Sequence, residues 1–213
     1  LMIKTAYITI FFLLSSLHGF SQGNQFPSQV WHKGQVVSVN GQVYQGMVKY
    51  DLENNVVQLQ TQSGVETFGS SNVSQFEIFD EVYGGIRNFY TLPYSLAADY
   101  ETPVFFEILT EGDDIVLLCR EQIVVDNRRM GMYGPMVMNP MWGPAMGGAY
   151  RLAFNYFFIK DGKIQKYSLK KKELLDILGD RADEVDLFMR KNRLSHDKRG
   201  DLLRITAYYN QIK

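Results

Sequence analysis

The clearest structural signal in the chain is the segment Gln35-Val-Val-Ser-Val-Asn-Gly-Gln-Val-Tyr-Gln-Gly-Met-Val-Lys-Tyr50. Two strand-like runs, Gln35–Val39 and Gln42–Tyr50, flank the dipeptide Asn40-Gly41. Asn-Gly is the strongest short hairpin signal, because both residues tolerate the positive φ angles of a type I′ turn. The segment therefore predicts an antiparallel β-hairpin.

Working outward from this hairpin, the pattern predicts that an antiparallel meander continues to Phe79. The further strands are Val56–Thr61, Val65–Phe68 and Val73–Phe79, in which Phe76, Ile78 and Phe79 are expected to fill one face. Four residues have a spacing similar to that in the Sm-type small barrel: Gly41, Gly46, Asp51 and Asn55. This similarity favours a small, strongly bent sheet.

The next part of the chain is predicted to be irregular from Asp80 to Thr102, because Gly84-Gly85 and Pro93 interrupt any long element. Strands are then expected to resume in two pairs. They are Pro103–Thr110 with Ile115–Val125, and Arg151–Lys160 with Lys163–Tyr167 around the turn Asp161-Gly162.

The C-terminal part changes from strand to helix periodicity. Helices are expected at Leu169–Leu178, with Ser168 as N-cap and Gly179 at the end, and at Arg181–Lys191, capped by Asp180. Ser195 or Asp197 is expected to open a third helix. The predicted class is therefore α+β: an antiparallel β-meander or small barrel-like β domain over residues 22–167, and a three-helix appendage over residues 168–213.

The first 21 residues have the composition of a secretory signal peptide. Lys4 precedes a short apolar run from Ala6 to Leu14, and Gly19 and Ser21 occupy the small-residue positions before a cut. We expect cleavage after Ser21, which leaves no transmembrane anchor; an uncleaved anchor is the alternative. The expected location is periplasmic or extracellular, and the absence of a cysteine at the cleavage site predicts that the protein is not a lipoprotein.

Charge is distributed unevenly along the chain. Residues 22–159 carry 7 Lys/Arg against 14 Asp/Glu, a net charge of −7, whereas residues 160–213 carry 14 against 9, a net charge of +5. Opposite charges predict that the two parts attract one another. No basic run with interleaved aromatic residues is present, so we expect no nucleic-acid partner.

A wider resemblance covers most of the chain after the signal segment. The chain resembles uncharacterised secreted β-rich proteins common in Bacteroidetes, a family with no assigned activity, so the resemblance implies no functional residue. The residues that carry it are Gly19–Gln22, Asn40-Gly41, Gly46, Tyr50-Asp51, Phe76–Phe79, Pro103–Glu107, Leu202 and Tyr208-Tyr209-Asn210. The methionine-rich segment described below departs from the pattern.

No motif of a known catalytic class occurs in the chain: the nucleophile elbow, the zinc protease helix, the P-loop and the dinucleotide fingerprint are all missing. The single cysteine, Cys119, lies in a strand-like apolar run and is expected in the core. Two acidic pairs, Asp80-Glu81 and Asp113-Asp114, are expected to be solvated at turns. We therefore expect no enzyme activity and no cofactor, although two distant carboxylates of a hydrolase stay possible.

Residues 127–150 form a Met/Gly/Pro-rich segment between two predicted strands. The hypothesis we favour is a flexible loop that contacts a partner, with Tyr133, Trp142 and Tyr150 as the contact residues. The alternative is a soft-metal site, because thioethers favour Cu(I). Its ligands would come from six methionines: Met130, Met132, Met136, Met138, Met141 and Met146.

Three functions from different classes follow from the sequence. The leading one is a non-enzymatic secreted or periplasmic protein that binds an envelope protein or surface component. The second is Cu(I) binding, and the third is a carboxylate-based hydrolase. An exposed aromatic patch favours the first, converging thioethers the second, and a deep cleft with two carboxylates the third.

Overall fold

The protein combines one large antiparallel sheet with a C-terminal helical region. The structure, a computed structural model, describes residues 26–96, 100–125 and 150–213. Over these ranges the chain forms ten strands in a single sheet, which confirms an α+β fold with a β-rich domain. None of the helices in the described ranges is long and apolar enough to cross a membrane. The predicted signal segment and residues 127–149 lie outside the described residues.

The strands run in the spatial order β10-β9-β8-β7-β6-β5-β1-β2-β3-β4. Their bounds are β1 His32–Ser38, β2 Val43–Asp51, β3 Val56–Thr61, β4 Gly64–Gly69, β5 Val73–Asp80, β6 Gly85–Tyr94, β7 Thr102–Thr110, β8 Val116–Val125, β9 Tyr150–Lys160 and β10 Lys163–Tyr167.

The Asn40-Gly41 hairpin is confirmed, with Val37 opposite Val43 and a positive φ of 83° at Gly41. The predicted meander is wrong at one point, because β5 returns to pair with β1 instead of β4. The physical reason is burial. Strand β4 exposes most of its side chains, whereas Phe76 and Ile78 of β5 bury theirs alongside Val36.

The predicted irregular segment from Asp80 to Thr102 is also wrong, since it contains the ten-residue strand β6. Gly84, at φ 67°, forms part of the turn that enters this strand and does not break it. Pro93 lies opposite Pro103, near the end of the β6–β7 pair, where a strand accepts proline more easily.

The first seven strands curl around a core of their own. Two hydrogen bonds bring the region of β3 and β4 to β7: Ser70 Oγ donates to Pro103 O at 2.7 Å, and Phe105 N donates to Asn55 Oδ1 at 3.2 Å. Inside the curl lies an apolar cluster that includes Val36, Val48, Val57, Leu59, Phe76, Phe89 and Phe105.

The helical region packs on the other half of the same sheet. Helix α1 spans Lys171–Leu178, a 3-10 turn spans Gly179–Arg181, α2 spans Ala182–Asn192 and α3 spans Arg199–Ile212. Their apolar side chains join those of β8 and β9 in a second core, which includes Leu117, Cys119, Phe158, Leu174, Val185, Leu202, Ile205 and Tyr209. This core gives short amphipathic helices the burial they lack alone.

The predicted end of the first helix at Gly179 is confirmed, whereas the N-caps predicted for the first two helices are wrong. Helix α1 starts at Lys171 and not at Leu169, whose φ of 61° is left-handed, and the Ser168 backbone N–H donates to the Glu173 carboxylate. Asp180 does not cap α2 either, because its carboxylate accepts hydrogen bonds from Tyr209 and Lys213. In both cases the polar group expected to cap a helix makes a different hydrogen bond, Ser168 with Glu173 and Asp180 with Tyr209 and Lys213. A capping pattern in the sequence does not reveal these competing partners.

Gly200 offers a stabilising substitution in the first turn of α3. A Cβ at this position meets no atom within 4 Å, so we expect Gly200→Ala to raise the free energy of unfolding by about 0.5–1 kcal/mol. Gly41→Ala is the contrasting variant, because its φ of 83° strains any other residue even though the space is open. Urea denaturation followed by far-UV circular dichroism measures both, and equal signs for the two changes would contradict this interpretation.

Candidate interaction surface

A buried carboxylate, that of Asp80, holds the turn of the hairpin formed by β5 and β6. Asp80 is fully buried, and its Oδ1 accepts hydrogen bonds from the backbone N–H groups of Val82 at 2.9 Å and Tyr83 at 3.3 Å. Its Oδ2 accepts a hydrogen bond from Arg87 Nη1 at 2.9 Å. The expectation that this acid is solvated is therefore wrong, because it organises the turn from inside.

Arg87 uses all of its hydrogen-bonding capacity inside the protein. A guanidinium has five N–H donors. Nε and Nη2 donate to the two oxygens of Glu107, each at 2.8 Å. Nη1 donates to Tyr50 Oη at 2.8 Å and to Asp80, and Nη2 donates to Glu121 Oε2 at 2.9 Å. The buried charge is thus fully satisfied, which is the condition for such a group to be tolerated.

A second arginine reaches the same cluster from the helices. Arg199, the first residue of α3, donates from Nη1 and Nη2 to the Glu107 carboxylate at 3.0 Å and 2.5 Å. Tyr50 Oη donates to Glu121 Oε1 at 2.5 Å. We call this group of three carboxylates, two guanidiniums and one phenol the ion cluster. It joins the acidic sheet to the basic helical part, as the charge distribution predicts.

The protonation states support these donor roles. Burial, as the main cause, raises the pKa of Tyr50, so the phenol keeps its proton and donates to Glu121. Burial alone would lower the pKa of Arg87, but the hydrogen bonds and charge of Glu107 outweigh it and raise the pKa. Arg87 therefore stays charged.

Tyr83 holds the tip of the hairpin against the ion cluster. Its ring centroid lies 5.1 Å from Cζ of Arg87 and 5.1 Å from Cζ of Arg199. Both distances are within the range of cation–π attraction. The turn is therefore fixed by Asp80 at its backbone and by Tyr83 at its side chain.

The same hairpin exposes three apolar side chains to solvent. Phe79 and Ile86 lie directly opposite each other and are 47% and 65% exposed, while Val82 in the turn is 71% exposed. We call these three residues the hairpin patch. The prediction that Phe79 fills the same face as Phe76 and Ile78 is wrong, because it is adjacent to Ile78 in a strand, and neighbours along a strand face opposite sides.

A shallow groove continues from the hairpin patch across the outer face of the sheet. Its volume is about 380 Å³. Side chains from four strands line it: Lys33, Gln35, Gln45, Glu77, Phe79 and Ile86. The groove therefore combines an apolar end with polar and oppositely charged groups, a mixture typical of protein interfaces.

Two of the three predicted contact residues, Tyr133 and Trp142, lie outside the described residues, as do the six methionines predicted as alternative Cu(I) ligands. Tyr150 is described: it is the first residue of β9 and not part of a loop, and it is exposed opposite the exposed Val125. No group of three His, Cys, Asp or Glu in the described ranges is placed to hold a metal ion. The Cu(I) hypothesis stays a prediction.

The structure brings together three carboxylates that the sequence analysis did not connect. Asp80, Glu107 and Glu121 each bind Arg87 within 2.9 Å. General acid–base chemistry needs a carboxyl group that can reach the substrate, and these three carboxylates are instead ion-paired with Arg87. Cys119 is buried as predicted, and burial raises its pKa, which disfavours the thiolate.

A signal for the cluster was present in the sequence. Glu107 follows Val104-Phe-Phe in an apolar strand, so it falls on the same face as Phe105, and an acid at an inward position of a strand requires a buried partner. Such a residue indicates that an ion pair exists, although it does not identify the partner.

Comparison with known proteins finds no matching family model, no matching curated protein and no matching solved structure. The functional argument therefore depends on the geometry of this chain alone. The resemblance to secreted proteins of Bacteroidetes stays a prediction.

Proposed function

We propose that this protein is a non-enzymatic interaction module of the cell envelope, which binds another protein through the hairpin patch of Phe79, Val82 and Ile86. The observation that carries the proposal is an exposed apolar turn held by a fully hydrogen-bonded buried cluster. Apolar side chains exposed together on a surface are typical of contact sites.

Rigidity is the second argument for binding. A flexible contact surface loses conformational entropy when it binds, and this loss weakens the affinity. A preorganised surface therefore binds more tightly for the same contacts. Asp80 and Tyr83 fix the turn of the hairpin, and the exposed side chains project from a backbone that is already ordered. This arrangement supports recognition of an apolar surface on a partner.

The location of the protein in this proposal comes from the predicted signal segment of residues 1–21. The helical part, residues 168–213, braces the sheet through Arg199 and leaves the hairpin patch on the surface. A protein of the envelope is the expected partner.

A crosslinking pull-down from the native cells tests the proposal. The full chain and the double variant Val82→Ser/Ile86→Ser are tagged, fractionated with the envelope and analysed by mass spectrometry. We expect the variant to lose at least about 90% of the crosslinked partner, because truncating the centre of an interface removes most of its binding energy.

The matched control is Val39→Ser/Val43→Ser, which removes two valines from the β1–β2 hairpin that are also more than half exposed. Surface changes of this kind alter stability by no more than about 0.5 kcal/mol, so both variants should fold. Equal capture of the partner by both double variants would rule out the hairpin patch as the binding site.

A further inference from the structure

Strands β7 and β8 separate part of the way along their length. They pair from Thr110 opposite Leu117 to Glu107 opposite Cys119. Beyond this point β8 pairs with β9 alone, from Arg120 opposite Asn155 to Val125 opposite Tyr150. The other edge of residues 120–125 therefore faces no strand in the described part of the chain, although it lies in the interior of the sheet order.

Side chains hold the two strands apart. Arg120 Nη1 donates to Phe105 O at 2.5 Å and to Asn55 Oδ1 at 3.0 Å, and its Nη2 donates to Leu52 O. Asn55 Oδ1 also accepts a hydrogen bond from Phe105 N. At Phe105, both backbone groups of β7 are thus hydrogen-bonded to side chains where β8 would otherwise pair. The separation of the two strands is therefore stabilised by specific contacts.

A cleft of about 370 Å³ lies along the open edge of β8. Gln122 and Ile123 of β8 form one wall, and the end of β2 with the turn to β3 forms the other, including Leu52 and Val56. The volume falls within the range of ligand pockets and accommodates a few residues of one strand, but not a second sheet.

The charge of the cleft is negative. Asp51 and Glu53 contribute two carboxylates to its lining against the single ammonium group of Lys49, whereas the charge of Glu121 is balanced by Arg87. The Glu121 carboxylate is held by Arg87 and Tyr50, whereas Glu53 is exposed at the rim. A ligand with basic side chains complements this rim.

We infer that the cleft is a second binding site, in which an extended basic segment of a partner protein adds to β8 as a strand along residues 120–125. Unpaired strand edges are natural templates for such addition, since main-chain hydrogen bonds supply affinity and the flanking pockets select side chains. The inference rests on the proposed function as a protein-binding module and specifies a chemical class for what it binds.

The test uses the full chain and a labelled peptide, Lys-Val-Thr-Val-Lys-Val-Thr, as the probe. Fluorescence anisotropy measures its binding, and hydrogen exchange with mass spectrometry locates it. We expect the amides of residues 120–125 that point away from β9 to exchange at least about tenfold more slowly with the peptide bound. The same peptide with alternate N-methyl groups keeps the side chains but blocks strand pairing, and should bind at least about tenfold more weakly.

A charge reversal tests the rim. Glu53→Lys should weaken the basic peptide about five- to tenfold, and Glu66→Lys, at an exposed position of β4, should leave its affinity unchanged. Because both positions are exposed, loss of folding does not confuse the comparison. Equal effects of the two reversals would indicate attraction by overall charge and would overturn the proposed site.

Three further results would overturn the inference: no binding of the peptide, protection confined to residues outside 120–125, or protection of the amides that point away from β9 before the peptide is added. The last result would mean that another part of the chain or a second copy covers the edge. Failure here is separable from failure of the hairpin patch, because Val82→Ser/Ile86→Ser should leave peptide binding unchanged.

Discussion

Arg87→Met should lower the free energy of unfolding by at least about 3 kcal/mol, because removing one partner of a buried ion pair leaves its counter-charges uncompensated. The effect should be large for this residue, since Arg87 faces three carboxylates and only Arg199 remains to balance them. Methionine keeps the volume of the aliphatic stem and places no new group in the cluster. Urea denaturation followed by far-UV circular dichroism measures the change.

The matched control for this variant is Arg181→Met, which removes an arginine from an exposed ion pair with Glu184. Exposed pairs contribute no more than about 1 kcal/mol and often much less, so this variant should differ little from the parent chain. A loss at Arg87 no greater than the loss at Arg181 would contradict the view that the ion cluster holds the hairpin. Hydrogen exchange at residues 81–84 adds a local readout, and should accelerate only in the Arg87 variant.

The ion cluster also explains why local sequence patterns could predict the strands but not the candidate site. The Asn40-Gly41 hairpin depends on two adjacent residues, so its signal is local. Arg87 instead meets acids at positions 80, 107 and 121, and Arg199 lies 92 residues from Glu107. No window of sequence contains these partners together.

The strand order shows the same limit. Alternation of apolar residues predicted β5, but it does not show which neighbour β5 chooses. The choice of β1 over β4 follows from which pairing buries Phe76, and that is a property of the whole sheet. The exposure of Phe79 follows from the pleat once β5 is in place. The exposure of the hairpin patch could therefore be predicted from the sequence only once the strand register was known.

Gly34→Ala should lower the free energy of unfolding by about 3 kcal/mol, at the upper end of the range for added atoms in a packed site. A Cβ on Gly34 would lie 2.1 Å from the backbone oxygen of Glu77 and 3.2 Å from Ile78 Cα. These atoms belong to the neighbouring strand β5, so no flexible side chain can move away. Gly34 also lies opposite Gly46, whose Cβ would meet Gln60 O at 2.4 Å.

The two glycines therefore mark a place where strands β1 and β2 approach their neighbours more closely than side chains allow, which is what a strongly bent sheet requires. Gly69→Ala in β4 is the matched control: its Cβ meets nothing within 4 Å, so the change should stay within about 0.5 kcal/mol. Gly46→Ala should behave like Gly34→Ala. If all three alanine variants unfold at the same urea concentration, close approach of the strands is not the reason for glycine at positions 34 and 46, and the bend must be accommodated elsewhere in the sheet.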